Sequence, residues 1–316
     1  MENYTEKDYV KVAIMYYDEG MTQAEIAKKM GVSRSLVSKI LIDAREAKIV
    51  EIFINSQSVF TTKLERELEQ RFGLQDAVVI DTVGLTATEV KRRVSRAAAT
   101  YMESHLRKNS HIRRIGISWG ETLRQLVNYL PYVNHSNFHI YPLIGGMGNE
   151  HFYLHSNQLV QTIAQKMRAT AHYLYVPAMV SSITLKKELE QDSTISRVLE
   201  EGRKVDLALF GMASLEENST MMETGYITAA EAKRFKEEMG VVGDINSQFF
   251  DQHGQSILGI NSHVMGVSLE DLKRIPTKIV TAYGLAKAGA IRVGIENQMA
   301  DILITTDETA QEILSQ

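Results

Sequence analysis

Cysteine is absent from all 316 residues. That excludes disulfides, thiolate chemistry and cysteine-ligated zinc. Apolar runs long enough to cross a bilayer, about 20 residues, are also missing. The opening Met1-Glu-Asn-Tyr-Thr-Glu6 lacks the basic and apolar regions of a secretion signal. The expectation is a cytoplasmic chain with no membrane contact. No charge sign is in excess either: 35 Lys and Arg against 39 Asp and Glu give a formal charge of -4. The molecule as a whole is therefore no polycation for nucleic acid. Low-complexity tracts and solenoid-length repeats are lacking too. What remains, 44% hydrophobic and 23% charged residues, suits a globular chain long enough for two domains.

The most informative stretch runs from Met21 to Leu41. Thr22 and Glu25 have capping-box spacing ahead of a short apolar face, Ile26, Ala27 and Met30. Gly31 can turn the chain in a left-handed conformation. Ser33 can cap a second helix in which Val37, Ile40, Leu41 and Ala44 share one stripe. Arg34, Ser35, Ser38 and Lys39 fall on the opposite side. Such a helix-turn-helix lays its second helix in the major groove of double-stranded DNA, N-terminal residues to the base edges. Two capped helices around a glycine also make ordinary helical hairpins. The ordered set Thr-Gln-Ala-Glu-Ile-Ala, Gly-Val-Ser and an Arg/Ser/Lys face favours DNA. Its expected contacts are Thr22, Gln23, Ser33, Arg34, Ser35, Ser38 and Lys39. Residues 21–50 carry six Lys and Arg against three acids. This modest basic excess predicts weak binding by one copy, and hence an oligomer that adds half-sites.

Residues 8–19 read as a helix before this motif, and Ile49-Val-Glu-Ile-Phe-Ile54 as a strand after it, part of a small wing. The polar break at residues 55–58 divides a DNA-binding domain, 1–55, from a second domain, 56–316. Thr62 and Glu65 have capping-box spacing for a connecting helix. From Asp76 onward short β-branched runs (77–80, 114–118, 138–144, 173–176, 206–210, 279–283, 302–305) alternate with helical ones (86–108, 121–130, 156–169, 228–239, 285–296). Alternation of this kind predicts an α/β fold with a Rossmann-like parallel sheet, whose ligands bind at the carboxyl ends of strands.

Four stretches should meet there: Ile117-Ser-Trp-Gly120, Leu143-Ile-Gly-Gly-Met-Gly148, Val242-Gly-Asp-Ile245 and Tyr283-Gly-Leu-Ala-Lys287. Gly145, Gly146 and Gly148 either form a tight turn or let backbone amides approach an anion. They match neither a P-loop nor the dinucleotide fingerprint. Lys287 stands in the first turn of an expected helix, where its charge opposes the dipole unless an anion or a carboxylate offsets it. Asp244 is a candidate for that carboxylate, or an acceptor for sugar hydroxyls. A solvated lysine and a capping aspartate are the bland alternatives. Trp119, the single tryptophan, suits core packing better than ligand stacking. Asn157 caps a helix or meets ligand hydroxyls, and Thr305, Thr306 and Asp307 cap the last helix or meet a phosphate. His151 and His155 lie four apart but lack a third ligand, so neither a metal nor any cofactor is expected.

In this order the stretches resemble the SorC family of transcriptional regulators, along essentially the whole chain. The resemblance rests on Met21-Thr-Gln-Ala-Glu-Ile-Ala27, Gly116-Ile-Ser-Trp-Gly120, Pro142-Leu-Ile-Gly-Gly146, Val205-Asp-Leu-Ala-Leu-Phe-Gly211, Gly225-Tyr-Ile227, Gly243-Asp-Ile245, Gly284-Leu-Ala-Lys287 and Leu303-Ile-Thr-Thr-Asp307. It implies an effector domain similar to sugar-phosphate isomerases, assembled as dimers or tetramers. It also implies a phosphorylated sugar or polyol effector that changes operator binding. Carried over by motif, Gly145 and Gly146 hold phosphate, Asp244 and Lys287 contact hydroxyl or carbonyl groups, and Ser118 and Gly120 line the pocket. Phe210-Gly-Met212 departs from the commoner Gly-Ile-Gly.

Three functions compete. A metabolite-gated DNA-binding regulator accounts for both halves of the chain. A sugar-phosphate isomerase or lysine-dependent aldolase would use Asp244 as base and Lys287 as electrophile or amine, but leaves the DNA motif unexplained. A repressor sensing NAD lacks its fingerprint.

Overall fold

The computed structural model describes residues 4–50, 58–146, 151–215, 219–223 and 225–316. The chain divides into two compact units, Met1–Val59 and Phe60–Gln316.

In the first unit, α1 (Glu6–Ala13) starts on a Thr5–Asp8 capping box and continues as a π-helical turn, Ile14–Asp18. The helix expected at residues 8–19 thus begins earlier and widens at its end. The helix α2 (Gln23–Met30) carries the reciprocal Thr22–Glu25 cap, and Gly31 follows it at φ 70°. The Ser33 hydroxyl accepts from the Leu36 N–H to open α3 (Arg34–Glu46). Val12, Met15, Ile26, Val37, Ile40 and Leu41 form the small core between the three helices. The expected strand 49–54 begins at Ile49 and Val50, which form bends. Its other residues, and most of the expected boundary, lie outside the described residues.

The second unit opens inside the helix Val59–Phe72. Thr62 lies inside it and not at its cap. Glu65 instead accepts the Val79 N–H at 2.9 Å, satisfying a donor of the neighbouring strand. That strand is β1 (Asp76–Ile80), followed by β2 (Arg114–Ile117), β3 (His139–Pro142), β4 (Thr170–Ala171), β5 (Leu207–Phe210), β6 (Met212–Ala213), β7 (Gly243–Ile245), β8 (Gln248–Phe250), β9 (Thr277–Thr281) and β10 (Ile302–Thr306). Among the described residues seven strands form one parallel sheet in the order β1-β10-β9-β5-β2-β3-β4. Both faces are covered, so the strands are near-continuously apolar. Ile115, Ile117, Leu207, Leu209, Ile279, Ile302 and Ile304 belong to one core cluster, with residues of the helices Ala87–Lys108, Glu121–Tyr129 and Ser156–Met167. Ala208, Phe210, Val280 and Leu303 alternate with them into a second cluster, with residues of Ala288–Glu296 and Asp307–Ser315.

Two features were not foreseen. The run 173–176 is no strand: Leu174 is clamped by a side chain from the preceding helix, and Pro177 bridges to Gly146. And β6, β7 and β8 make a separate antiparallel sheet, with Ala213 opposite Asp244. Its β7–β8 turn, Asn246-Ser247, has φ of 55° and 57°, as a type I′ hairpin requires.

Strand order fixes where a ligand can enter. The chain passes from β2 outward to β3 and β4, then returns to β5 and runs the other way to β9 and β10. β2 and β5 are neighbours whose connections leave in opposite directions, and the crevice beyond their carboxyl ends is the topological switch point.

Candidate functional site

A cleft with about 570 Å³ of empty space, partly open to solvent, occupies that switch point. Ser118, Trp119 and Gly120 follow β2 into it; Gly211, Met212 and Ala213 follow β5; Thr281 ends β9. Asp244 and Asn246 reach it from the hairpin, and Lys287 from the turn after β9. The four stretches expected to meet therefore divide: those at 117–120, 242–245 and 283–287 contribute to this cleft, and the glycine stretch at 143–146 does not.

Buried hydrogen bonds seat the hairpin. Ser118 Oγ donates to Asn246 Oδ1 at 2.7 Å, and Asn246 Nδ2 donates to the carbonyls of Leu143 and Val267. Trp119 Nε1 donates to Ser247 Oγ at 3.0 Å. Trp119 is thus core and clamp together, 9% exposed. Gly120, at φ 116°, is the N-cap of the helix Glu121–Tyr129 and supplies no side-chain acceptor to its first-turn amides.

The charged groups are unevenly satisfied. Burial raises the Glu121 carboxyl, but hydrogen bonds from Arg124, Gln125 and Lys91 outweigh it and bring the pKa to about 2. Asp244 is buried, and that burial pushes its pKa up to about 7 against the Ser247 N–H and the Lys287 charge. Lys287 is itself lowered by burial, opposed by Asp244 and Glu223. Two hydroxyls in the cleft wall, Ser219 Oγ and Thr281 Oγ1, are buried without a partner among the described residues. A polar atom left so is costly unless something else pairs with it. Thr281, Ser219 and Asn246 were missed from sequence; a threonine closing the apolar run of β9 was the available signal.

On the helical unit, Ser33, Arg34, Ser35 and Lys39 are exposed and Ser38 and Gln23 partly so. Thr22, Gln23 and Arg34 line one groove. Among the described residues Arg34 and Lys39 make no ion pair, whereas Lys29 pairs with Glu19. Two hydroxyls have local duties: Thr22 caps α2, and Ser33 caps α3 and contacts Ser35 Oγ at 2.9 Å.

Comparison with known proteins fits this two-part arrangement. Residues 56–315 match the family model described as "Putative sugar-binding domain", and residues 11–47 that of sigma-70 region 4. The solved full-length sorbitol operon regulator SorC of Klebsiella pneumoniae is 28% identical, with a TM-score of 0.74 over 99% of this chain and 100% of its own. The chain belongs to the SorC family of sugar-binding transcriptional regulators. A DeoR family transcriptional regulator of Listeria monocytogenes, 38% identical, superposes at a TM-score of 0.75 over 80% of this chain and 99% of that one. A deoxyribonucleoside regulator of Bacillus subtilis is 27% identical over 97% of this chain and 96% of its own length. These proteins are named as regulators and not as enzymes, which sets aside the isomerase or aldolase alternative.

Within this SorC-family chain three expected site residues, the carried-over Gly145 and Gly146 and the helix-start Asn157, are occupied elsewhere. The Gly145 N–H donates to Met265 O and the Gly146 N–H to Val176 O. A Cβ on Gly145 would sit 2.5 Å from Val176 O and 2.6 Å from Pro177 O. Both amides serve a backbone crossing, so the expected phosphate cradle gives way to a packing role. Asn157 Nδ2 donates to Leu174 O, and its Oδ1 accepts from Leu174 N–H, both at 3.0 Å; it neither caps its helix nor lines the cleft. Gly148 lies outside the described residues. Thr306 caps the final helix and Asp307 accepts from Thr82. His151 contacts Tyr153 Oη at 2.9 Å. Among the described residues no cluster of three metal-ligating side chains occurs, and no helix is long and apolar enough to cross a membrane.

Proposed function

We propose that the cleft binds a phosphorylated sugar or polyol and that its occupation changes affinity for double-stranded operator DNA. The observation that carries this reading is the pair of buried hydroxyls, Ser219 and Thr281, unpartnered among the described residues and in one cleft with Asp244 and Lys287. A polyhydroxylated ligand supplies partners for the hydroxyls and donors for the carboxyl. An anionic group is favoured by Lys287 and by the first-turn amides beyond Gly120. Ser118 lines the cleft and holds Asn246 in place. Arg34 and Lys39 meet the duplex, with Gln23, Ser35 and Ser38 beside them. A homodimer or homotetramer supplies two-fold related half-sites. The ligand shifts the equilibrium between operator-competent and incompetent assemblies only by as much as it binds one better.

Relatives named for sorbitol and deoxyribonucleosides suggest the first probes. Thermal unfolding is followed with sorbitol 6-phosphate, deoxyribose 5-phosphate, their unphosphorylated forms and NAD. A ligand at a hundred times its Kd stabilises by about 2.7 kcal/mol. Stabilisation by a phosphorylated probe, lost in Lys287→Met, is the expected result. Stabilisation by NAD alone, or a shift indifferent to Lys287, overturns the reading.

A further inference from the structure

Asp244 is an ill-supported carboxyl. It is 7% exposed and, among the described residues, is opposed in its burial by the Ser247 N–H and the Lys287 charge. The other charged groups near the cleft are committed elsewhere. Glu121 is held by Lys91 at 2.6 Å and Arg124 at 2.7 Å, and Glu223 acts on Lys287. An ionised carboxylate has room for about four donors. The cleft beside Asp244 is the space from which further donors can come.

We propose that filling the cleft is coupled to release of a proton from Asp244: without ligand, burial favours the neutral carboxyl, and ligand hydroxyls donating to it hold it ionised. The inference rests on the sugar-effector reading above. The proton passes to solvent and no covalent bond changes. Burial, which pushes the pKa of the empty site up to about 7, places the switch near neutrality. Charge-assisted hydrogen bonds from ligand hydroxyls favour the ionised form and pull it down. The sign follows. Below neutrality the ligand must first displace a proton, so affinity rises by up to about tenfold per pH unit until Asp244 is ionised in the empty protein, and then levels off.

The test uses the full chain. Sorbitol 6-phosphate and deoxyribose 5-phosphate are titrated calorimetrically from pH 6 to 8, in buffers of different ionisation enthalpy. In parallel, 13C NMR follows the aspartate carboxyl carbons, with Asp244 assigned by its loss in Asp244→Asn. The expected result is an empty-site Asp244 titrating near neutrality, fractional proton release on binding at pH 6.5, and about five- to tenfold tighter binding at pH 8 than at pH 6. Asp244→Asn should keep only the smaller dependence due to the phosphate itself. An Asp244 ionised throughout this range, or an unchanged pH dependence in the variant, overturns this inference alone. Absence of saturable binding by either probe overturns the effector reading and takes the inference with it. If the variant does not fold, the calorimetric proton count on the unmodified chain, taken in excess of what ionisation of the probe's own phosphate accounts for, decides the matter.

Discussion

The helical unit and the cleft assign their polar side chains by opposite rules. On the helical unit the candidate residues lie within 18 consecutive positions, from Thr22 to Lys39, and most are exposed. Their orientation follows from helix periodicity and two caps, which are local. In the cleft the polar groups come from residues 118 to 287 and most are buried. There a side chain's role depends on which backbone group, distant in sequence, has already taken its hydrogen bonds. Exposure leaves a residue available; burial commits it, save where, as at Ser219 and Thr281, no partner is found among the described residues.

The largest expected effect tests that rule at Gly145. Gly145→Ala forces a methyl into the carbonyls of Val176 and Pro177. We expect a loss of about 3 kcal/mol in stability from overpacking against backbone, measured by thermal unfolding of the empty chain. Unchanged stability with selective loss of phosphosugar binding would return the glycine to the ligand site and break the contrast.

Next in size is the exposed side of the comparison. Arg34→Ala should weaken binding to DNA selected in vitro by the protein by about 1–3 kcal/mol if the guanidinium reads a base edge. Lys39→Ala should instead reduce the salt slope by about one if it meets a phosphate. Both variants should unfold like the parent, because neither side chain holds an ion pair among the described residues. Fluorescence anisotropy across a salt series measures both outcomes, and unchanged affinity and slope in both would remove α3 from the groove.

The same division explains what the sequence made legible. Apolar runs such as Leu207–Phe210 revealed six of the seven parallel strands, because strands buried on both faces need no partner information to be recognised. The Tyr173–Val176 run misled, since β-branched and aromatic residues also suit an extended crossing over Gly145 and Gly146. The hairpin around Asp244 was invisible as a sheet: its strands are three residues each, too short for alternation to register. Asp244 and Lys287 were nonetheless singled out, from chemistry that local pattern does carry. Thr281 and Ser219 were not, because an unpartnered hydroxyl is defined only by what surrounds it.

Thr22 sits on the border of the two rules, and it yields the smallest and sharpest prediction. It was expected at the DNA, is exposed, and yet is committed: its hydroxyl donates to Glu25 Oε2 at 2.8 Å and accepts the Glu25 N–H at 3.3 Å. Removing that hydroxyl should cost about 1 kcal/mol, the ordinary value of an N-cap. Hydrogen exchange at the Glu25 amide reads the cost locally, where unfolding of a two-unit chain would blur it. In Thr22→Ala that amide should exchange about fivefold faster, and Thr22→Ser should restore it. The Thr22 hydrogen bonds hold the Glu25 carboxyl below its usual range. The reciprocal half of the cap therefore persists above the ordinary carboxylate range and fails as pH falls through the lowered value. If Thr22→Ser restores protection but not DNA affinity, the methyl group of Thr22 touches the duplex as well, and one residue follows both rules. If it restores both, the cap accounts for Thr22 entirely, and the readers of the groove begin at Gln23.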